Sequence, residues 1–287
     1  VIREKGDSLM TIGEPTVLAI ILNYKTYEMS LEMVEKLKCL NYENLDILIV
    51  DNCSPNESKQ ILEQETQKDA FKFIENSTNA GYAAGNNVGI RYAIEKGYKY
   101  SWLINNDLVF TDLNVLKKMV SEAEKNDLIA CVGPRITDSN GYVVAPFINR
   151  PTRWSQTFGI FTERKKRERQ KNTAQRVYKV YGCCMLLKNE AMKKIDCLDE
   201  RTFLFCEEEI LAERLRGINN QVYYCADANI THLESMTVNS EYGKQSSEKR
   251  NQVIRSMNLY LKEYLHYGFF SRLLCMSFRF MIMLLRG

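Results

Sequence analysis

The stretch "VLAIILNYKTYEMSLEMVEKLKCLNYENLDILIVDN", Val17 to Asn52, decides the fold. It holds two short apolar runs, Val17–Leu22 and Leu45–Asp51, rich in Val, Ile and Leu. Runs that short and that uniformly apolar read as strands buried on both faces. A helical pattern from about Ser30 to Leu40 separates them. Strand, helix, strand at this spacing is a parallel crossover unit. The unit then repeats. Ser54 and Pro55 open a second helix as cap and first residue. "FKFIE", Phe71–Glu75, reads as the third strand. "STNAGYAAGNNVGIRYAI", Ser77–Ile94, reads as the next helix with its entry loop. "YSWLIN", Tyr100–Asn105, is the fourth strand, and a helix follows near Leu113–Lys125. The fold class is therefore α/β, with a doubly wound, mainly parallel central sheet.

Beyond about Asp127 the pattern changes. "LIACVGPRI" and "GYVVAPF" read as strands joined by turns. The segment from about Arg150 to Arg176 has little periodicity and contains the basic run "RKKRERQK", Arg164–Lys171. A loop of that length is a lid or is disordered. Strand and helix resume with "VYKVYGCCMLLKNEAMKKI". Another helix starts near Glu207, "QVYYCA" follows it, and the tail from about Gln245 is helical.

Several function classes are disfavoured by composition. The 39 basic and 36 acidic side chains nearly cancel, so no global field draws nucleic acid. The nine cysteines are irregularly spaced, with no C-x-x-C pair, and read as small buried hydrophobes in a reducing cytosol. Residues 1–15 read as a flexible leader without an apolar signal region. The tail "GFFSRLLCMSFRFMIMLLRG" carries Arg272, Arg279 and Arg286 seven apart, along one helical stripe. That pattern suits a helix lying in a membrane surface, its arginines snorkelling to anionic headgroups. The same apolar face could instead pair two copies of the chain.

Ligands of an open parallel sheet bind beyond the carboxyl ends of its strands. Every strand exit here carries Asn or Asp: Asn23 and Tyr24, Asp51 and Asn52, Asn76 and Asn79, then Asn105, Asn106 and Asp107. Asp51 is placed to accept hydrogen bonds from a base or ribose. Asp107 is a candidate ligand for a hard cation. Gly81 and Gly85 let backbone approach a ligand, and Asn86 and Asn87 offer amide donors where a helix N-terminus can face a diphosphate or a sugar. "FLFCEEEILAERLRG" sets Glu207, Glu208 and Glu209 at a helix start after an aromatic run. Partial burial there raises a carboxyl toward the general-base range, while the helix dipole lowers it, and the residues alone leave that contest open. His232, in "ANITHLESMT", is one of only two histidines.

Taken together, these motifs resemble the inverting family 2 glycosyltransferases, in particular their rhamnosyltransferase-like branch. The likeness spans about Thr16 to Thr237. It rests on "NAGYAAGNNVG" (Asn79–Gly89), on Asn105–Asn106–Asp107 as the D-x-D-like motif, and on Glu207–Glu208 followed by Arg214–Leu215. The resemblance implies a GT-A-type fold with a C-terminal helical extension at 241–287. It implies a catalytic domain at 16–240, divided into a nucleotide-binding half (about 16–127) and an acceptor half (about 128–240). It also implies a nucleotide-diphosphate sugar donor, dTDP-rhamnose or a UDP-hexose, and Mg²⁺ or Mn²⁺ on Asp107 and His232.

In this reading Glu208 is the base, with Glu207 and Glu209 as alternatives. The donor site comprises Asn23, Tyr24, Asp51, Asn79, Gly81, Tyr82, Asn86, Asn106 and Asp107. Gly182, Cys183 and Glu207 lie on the acceptor side. Two departures stand out: Asn105 replaces the first acid of the metal motif, and Glu208 is longer than the usual Asp. The acceptor would be a glycan or lipid-linked hydroxyl in cell-surface polysaccharide assembly, and the enzyme cytoplasmic, held at the inner membrane face by its tail. Sugar nucleotidyltransferase chemistry is the competing reading, but "LNYKTYEMS" after the first strand lacks a glycine-rich basic phosphate loop. A catalytically silent partner subunit is the other.

Overall fold

A computed structural model describes residues 13–144, 146–158, 172–233 and 247–285. The basic run Arg164–Lys171, most of the leader and Arg286 lie outside the described residues. The sheet starts as the sequence suggests. Strands β1 (Val17–Asn23), β2 (Leu45–Asp51), β3 (Lys72–Glu75) and β4 (Tyr100–Ile104) form a parallel run in the order β3-β2-β1-β4. Helices α1 (Tyr27–Lys38), α2 (Ser58–Glu65) and α3 (Tyr82–Glu95) are its crossovers.

The sheet continues through strands of both directions. After β5 (Leu108–Phe110) and α4 (Val115–Glu124) come β6 (Ile129–Thr137), α5 (Arg153–Phe158), β7 (Gln175–Val177), β8 (Cys184–Lys188) and α6 (Asn189–Lys194). Then follow α7 (Glu207–Gly217), β9 (Gln221–His232), α8 (Ser247–Leu259), a π turn and α9 (Phe269–Leu285). β8 lies antiparallel between β4 and β6, β9 runs parallel to β6, and β5 and β7 pair antiparallel with β9.

Alternation along β1 builds two cores. Val17, Ala19 and Ile21 face a cluster with Met33, Leu37 and Met119 of α1 and α4. Leu18 and Ile20 face the opposite cluster, with Ile90 of α3, Met192 of α6 and Leu211 and Leu215 of α7. β1 buries both faces and carries no polar residue before Asn23 at its end.

Three local expectations are corrected. Helix α2 begins at Ser58, not at Ser54, because the Ser54 hydroxyl is already bonded to Asp51 (2.7 Å). "GYVVAPF" forms no strand among the described residues, only single bridges from Val143 to Thr137 and from Phe147 to Lys179. The two described tail arginines bond within the protein: Arg272 donates to Asn258 Oδ1 (2.7 Å) and Arg279 to Gln156 Oε1 (2.9 Å). The exposed arc of α9 is instead Phe269, Phe270, Leu273, Leu274, Ser277, Phe280 and Met281, without a charge. The helix is thus amphipathic in the opposite sense. It packs against α5 and α8, and its Cys275 shares a buried cluster with Ile210 of α7.

Candidate active site

At the exits of β1 and β2, ladder register sets Asn23 beside Asp51. Asn23 Nδ2 donates to Asp51 Oδ1 (2.6 Å), and Ser54 donates to the same carboxylate through its amide (2.9 Å) and hydroxyl. Ser30 Oγ donates to Asn23 Oδ1 (2.8 Å), and Asn106 Nδ2 donates to Ser30 Oγ (3.0 Å) and Thr26 Oγ1 (2.8 Å). Asn23 and Asp51 are fully buried and Asn106 nearly so. These three expected donor-site residues are therefore occupied by one another and by the loops they pin. Tyr24 beside them is half-buried, with Lys25 Nζ 5.0 Å from its ring centroid.

The start of α3 departs from expectation. Gly81 has φ +96°, and a Cβ there would lie 2.2 Å from the Phe203 carbonyl oxygen. Tyr82 N–H donates to that same oxygen (2.8 Å). The segment ahead of α7 therefore takes the first amide of this helix, where a diphosphate or a sugar was expected. Glycine is needed at 81 because no side chain fits between the two backbones. Gly85 likewise meets Leu22 of β1, not a ligand. Asn86 returns its amide to the Tyr82 carbonyl (3.0 Å), and Asn87 clasps Leu198 through both its amide groups. Asn79 Oδ1 accepts from Asn52 (2.8 Å) and from the Gly81 amide (3.1 Å).

The start of α7 is built on strain. Phe205 and Cys206 both have positive φ (76° and 67°), a region that side chains larger than glycine rarely occupy. The turn they make delivers three glutamates into three environments. Glu207 is buried with Oε1 lacking a hydrogen bond among the described residues, and burial, then the Glu208 charge, push its carboxyl up to about 8. Burial works to raise Glu209 as well, but the Lys179 ammonium, 2.6 Å away, overcomes it and holds that carboxyl below its ordinary range. Glu208 is half-buried and accepts the Gly182 amide at Oε1 (2.9 Å). Burial raises it, Lys179 works against that, and the net direction is upward. In the contest left open by the residues, desolvation prevails at Glu207 and Glu208, and a cation reverses it at Glu209.

Asp107 and His232 meet at the β5–β9 edge, where Leu108 is the ladder partner of His232 and Leu233 N–H donates to the Asp107 carbonyl (3.1 Å). Asp107 Oδ2 lies 3.2 Å from His232 Nε2. Both residues are buried, yet Asp107 Oδ1 and His232 Nε2 have no hydrogen-bond partner among the described residues. A carboxylate and an imidazole with orphaned atoms suit a divalent cation. No third His, Cys, Asp or Glu completes a metal-holding group among the described residues.

One segment joins this corner to the glutamates. Gly182 accepts the Tyr82 hydroxyl (2.6 Å) on its carbonyl while giving its amide to Glu208. Cys183 accepts the Asn105 amide (2.9 Å). The Cys183 thiol is pushed well up, by burial first and then by Cys184, Asp107 and Glu208. The 182–183 backbone thus joins Glu208, through the Gly182 amide, to Asn105, two residues before Asp107. Gly182, expected to line the acceptor side, is the clamp of the arrangement. Phe203 and Lys179 were not anticipated. Phe203 lay inside an aromatic run without periodic signal, and a lone lysine ahead of "VYGCC" carries no mark of the carboxylate it meets.

The sheet order, the two helical layers and a site at the strand exits define a nucleotide-sugar transferase fold of GT-A type. The family model of glycosyl transferase family 2 matches residues 18–196, and the chain belongs to that family. The hexosyltransferase Agl10 of low-salt glycan biosynthesis in Haloferax volcanii is 24% identical over 249 residues, 85% of this chain and 76% of that protein. The mannosyltransferase PcManGT from Pyrobaculum calidifontis, solved with GDP-Man and Mn²⁺, superposes with a TM-score of 0.62 at 13% identity, over 93% of this chain and 70% of its own. GalNAc-T7, solved with UDP, GalNAc and Mn²⁺, gives 0.64 at 14% identity, over 88% of this chain and 49% of its own. The chain is thus a glycosyltransferase of family 2 with the GT-A fold.

Proposed function

We propose that the protein transfers a hexose or rhamnose from a nucleotide-diphosphate donor to an acceptor hydroxyl, with inversion. The observation that carries this reading is the buried Asp107–His232 pair with its orphaned polar atoms, linked to Glu208 through the 182–183 backbone, whose Gly182 amide donates to Glu208 and whose Cys183 carbonyl accepts from Asn105. Glu208 takes the proton of the acceptor hydroxyl. The acceptor oxygen bonds the anomeric carbon on one face, while the bond to the diphosphate breaks on the other and its electron pair leaves with the nucleotide. Glu209 is held by Lys179 and Glu207 is buried, so Glu208, half-buried and oriented by the Gly182 amide, is assigned as the base. Asp107 and His232 would hold Mg²⁺ or Mn²⁺, which when bound offsets charge on the diphosphate. Tyr24, half-exposed at the β1 exit, is the donor-side ring. The relative in Haloferax is named a hexosyltransferase, and the solved neighbours carry GDP-Man or UDP, so a nucleotide-sugar panel of dTDP-rhamnose, UDP-hexoses and GDP-mannose is the assay. Glu208→Gln should keep donor binding and lose about 10²–10⁴-fold in transfer. Near-normal turnover in that variant refutes the assignment.

The membrane part of the reading rests on α9. Among the described residues no helix is long and apolar enough to cross a membrane. The uncharged outer arc of α9, with exposed Trp154 on the adjoining α5, supports shallow insertion at the inner membrane face, which suits a lipid-linked acceptor. Arg272 and Arg279 are turned inward, so neither is offered to a headgroup from the outer arc. The protein should co-sediment with neutral phosphatidylcholine vesicles, and Phe270→Glu should reduce that binding. A concentration-dependent dimer without vesicle binding assigns the arc to a second copy instead.

A further inference from the structure

We propose that the cavity between β7 and the last turns of α7 is a phosphate-binding site, separate from the strand-exit cleft, in which Arg150, Arg176 and Arg216 hold a doubly charged phosphate group. The cavity measures about 220 Å³. Arg150 reaches it from the chain ahead of α5, Arg176 from β7 and Arg216 from the end of α7, and Asn220 and Gln221 extend the polar part of the lining. No Asp or Glu lines it among the described residues. All three arginines are exposed, so an anion reaches them without movement of the chain. Arg216 lies eight positions, roughly 12 Å of helix rise, from Glu208, so this site is independent of which glutamate is the base.

Two of the arginines are held in place by one acid. Glu213, with a side chain only 3% exposed, is not part of the lining. Its Oε1 accepts Arg150 Nε (2.6 Å) and the Tyr178 hydroxyl (3.0 Å). Its Oε2 accepts Arg150 Nη2 (3.1 Å), Arg216 Nε (3.0 Å) and Arg216 Nη2 (2.7 Å). Both guanidiniums are thus gripped by the same edge, and the Nη1 group on the opposite edge of each has no bond among the described residues. Burial works to raise the Glu213 carboxyl, but Arg150, Arg216 and Tyr178 outweigh it and hold it below its ordinary range. Three positive charges against the one negative charge of Glu213 leave two in excess. A carboxylate ligand would use only one of them. A phosphate group carries two charges and several oxygens, and planar guanidinium forks suit it better than ammonium groups would.

NMR of ¹⁵N-arginine-labelled protein reads the site without any sugar donor. The Nε–H groups of Arg150 and Arg216 are bonded to Glu213, and their signals are assigned by their loss in Arg150→Lys and Arg216→Lys. Inorganic phosphate is titrated in at constant ionic strength, with EDTA present so that no divalent cation recruits it to Asp107 and His232. Both signals should move and saturate, and Arg176→Gln should weaken the apparent affinity by about tenfold or more. Signals that stay still, that move equally with chloride alone, or that keep their phosphate affinity in Arg176→Gln overturn the proposal. If Arg176→Gln cannot be purified, Arg216→Gln, read at the Arg150 signal, decides in the same way. Dihexanoyl phosphatidic acid, kept below its micelle concentration, separates the two sources of such a phosphate. Tighter binding than inorganic phosphate at the same arginines assigns a lipid-borne group, and equal or weaker binding assigns a free one. A merely structural Arg150–Glu213–Arg216 cluster responds to neither.

Discussion

The exits of β1 and β2 and the corner formed by β5 and β9 are both polar, both buried and both placed where ligands of such sheets bind. They differ in one respect. At the first, Asn23, Ser30, Asp51, Ser54 and Asn106 bond one another. At the second, Asp107 and His232 approach to 3.2 Å, yet each keeps a buried atom with no hydrogen bond among the described residues. A buried polar group left unpaired costs about 1–3 kcal/mol, and a chain tolerates that cost where the missing partner arrives with function. Saturation marks a polar cluster that builds the cleft. Orphaned atoms on a buried acid and imidazole at a strand exit point to one that works in it.

The sharpest way to break that comparison is the same substitution at both places. Asp107→Asn should cost at least about 10²-fold in transfer, since removing mere supporting partners of a metal site already costs 10–100-fold. Its melting temperature should hold or rise, because a buried carboxylate with an orphaned oxygen is replaced by a neutral group. Asp51→Asn should do the reverse. An amide NH₂ would face either the Ser54 N–H or the Asn23 amide, setting donor against donor, at about 1–3 kcal/mol of stability. Donor affinity and melting curves on both variants check this. A destabilised Asp107→Asn with intact activity would dissolve the distinction.

The same contrast explains what could be read from the chain. The β1, β2 and β4 runs were legible because a strand covered on both faces leaves no freedom in its composition. Asp107 and His232 were legible as candidates because their residue types and order match a known pattern. What the residues could not show is where polar side chains spend their hydrogen bonds. Ser54 looks like a helix cap until Asp51 is seen to hold it. Gly81 and Gly85 look like ligand-facing glycines until Phe203 and Leu22 are found against them. The arginines of α9 look like headgroup ligands until Asn258 and Gln156 take them inward. Apart from Ser54, whose partner Asp51 is three residues away, each error concerns a residue whose partner is distant in sequence, and periodicity carries no information about such partners.

Within the three glutamates the comparison can be read as a smaller effect, on stability alone. Glu207 is on the orphaned side: buried, with a free Oε1, and its carboxyl pushed up to about 8 from an ordinary 4.5. Between those values the folded protein holds a proton that the unfolded chain has lost. The folded state is therefore favoured at the acid end of that window and loses its advantage as pH rises, by as much as about 1.4 kcal/mol per unit. Above about 8 the carboxyl ionises in the fold and the loss is complete. Glu207→Gln removes the titration, so it should melt like the parent near pH 5 and above it at pH 8, with the gap widening steadily between. A constant gap would mean that Glu207 finds a partner when it ionises, and would move it to the saturated class with Asp51. Glu209 already shows what such a partner does: with Lys179 beside it, an equally acidic side chain two positions along the same helix stays charged.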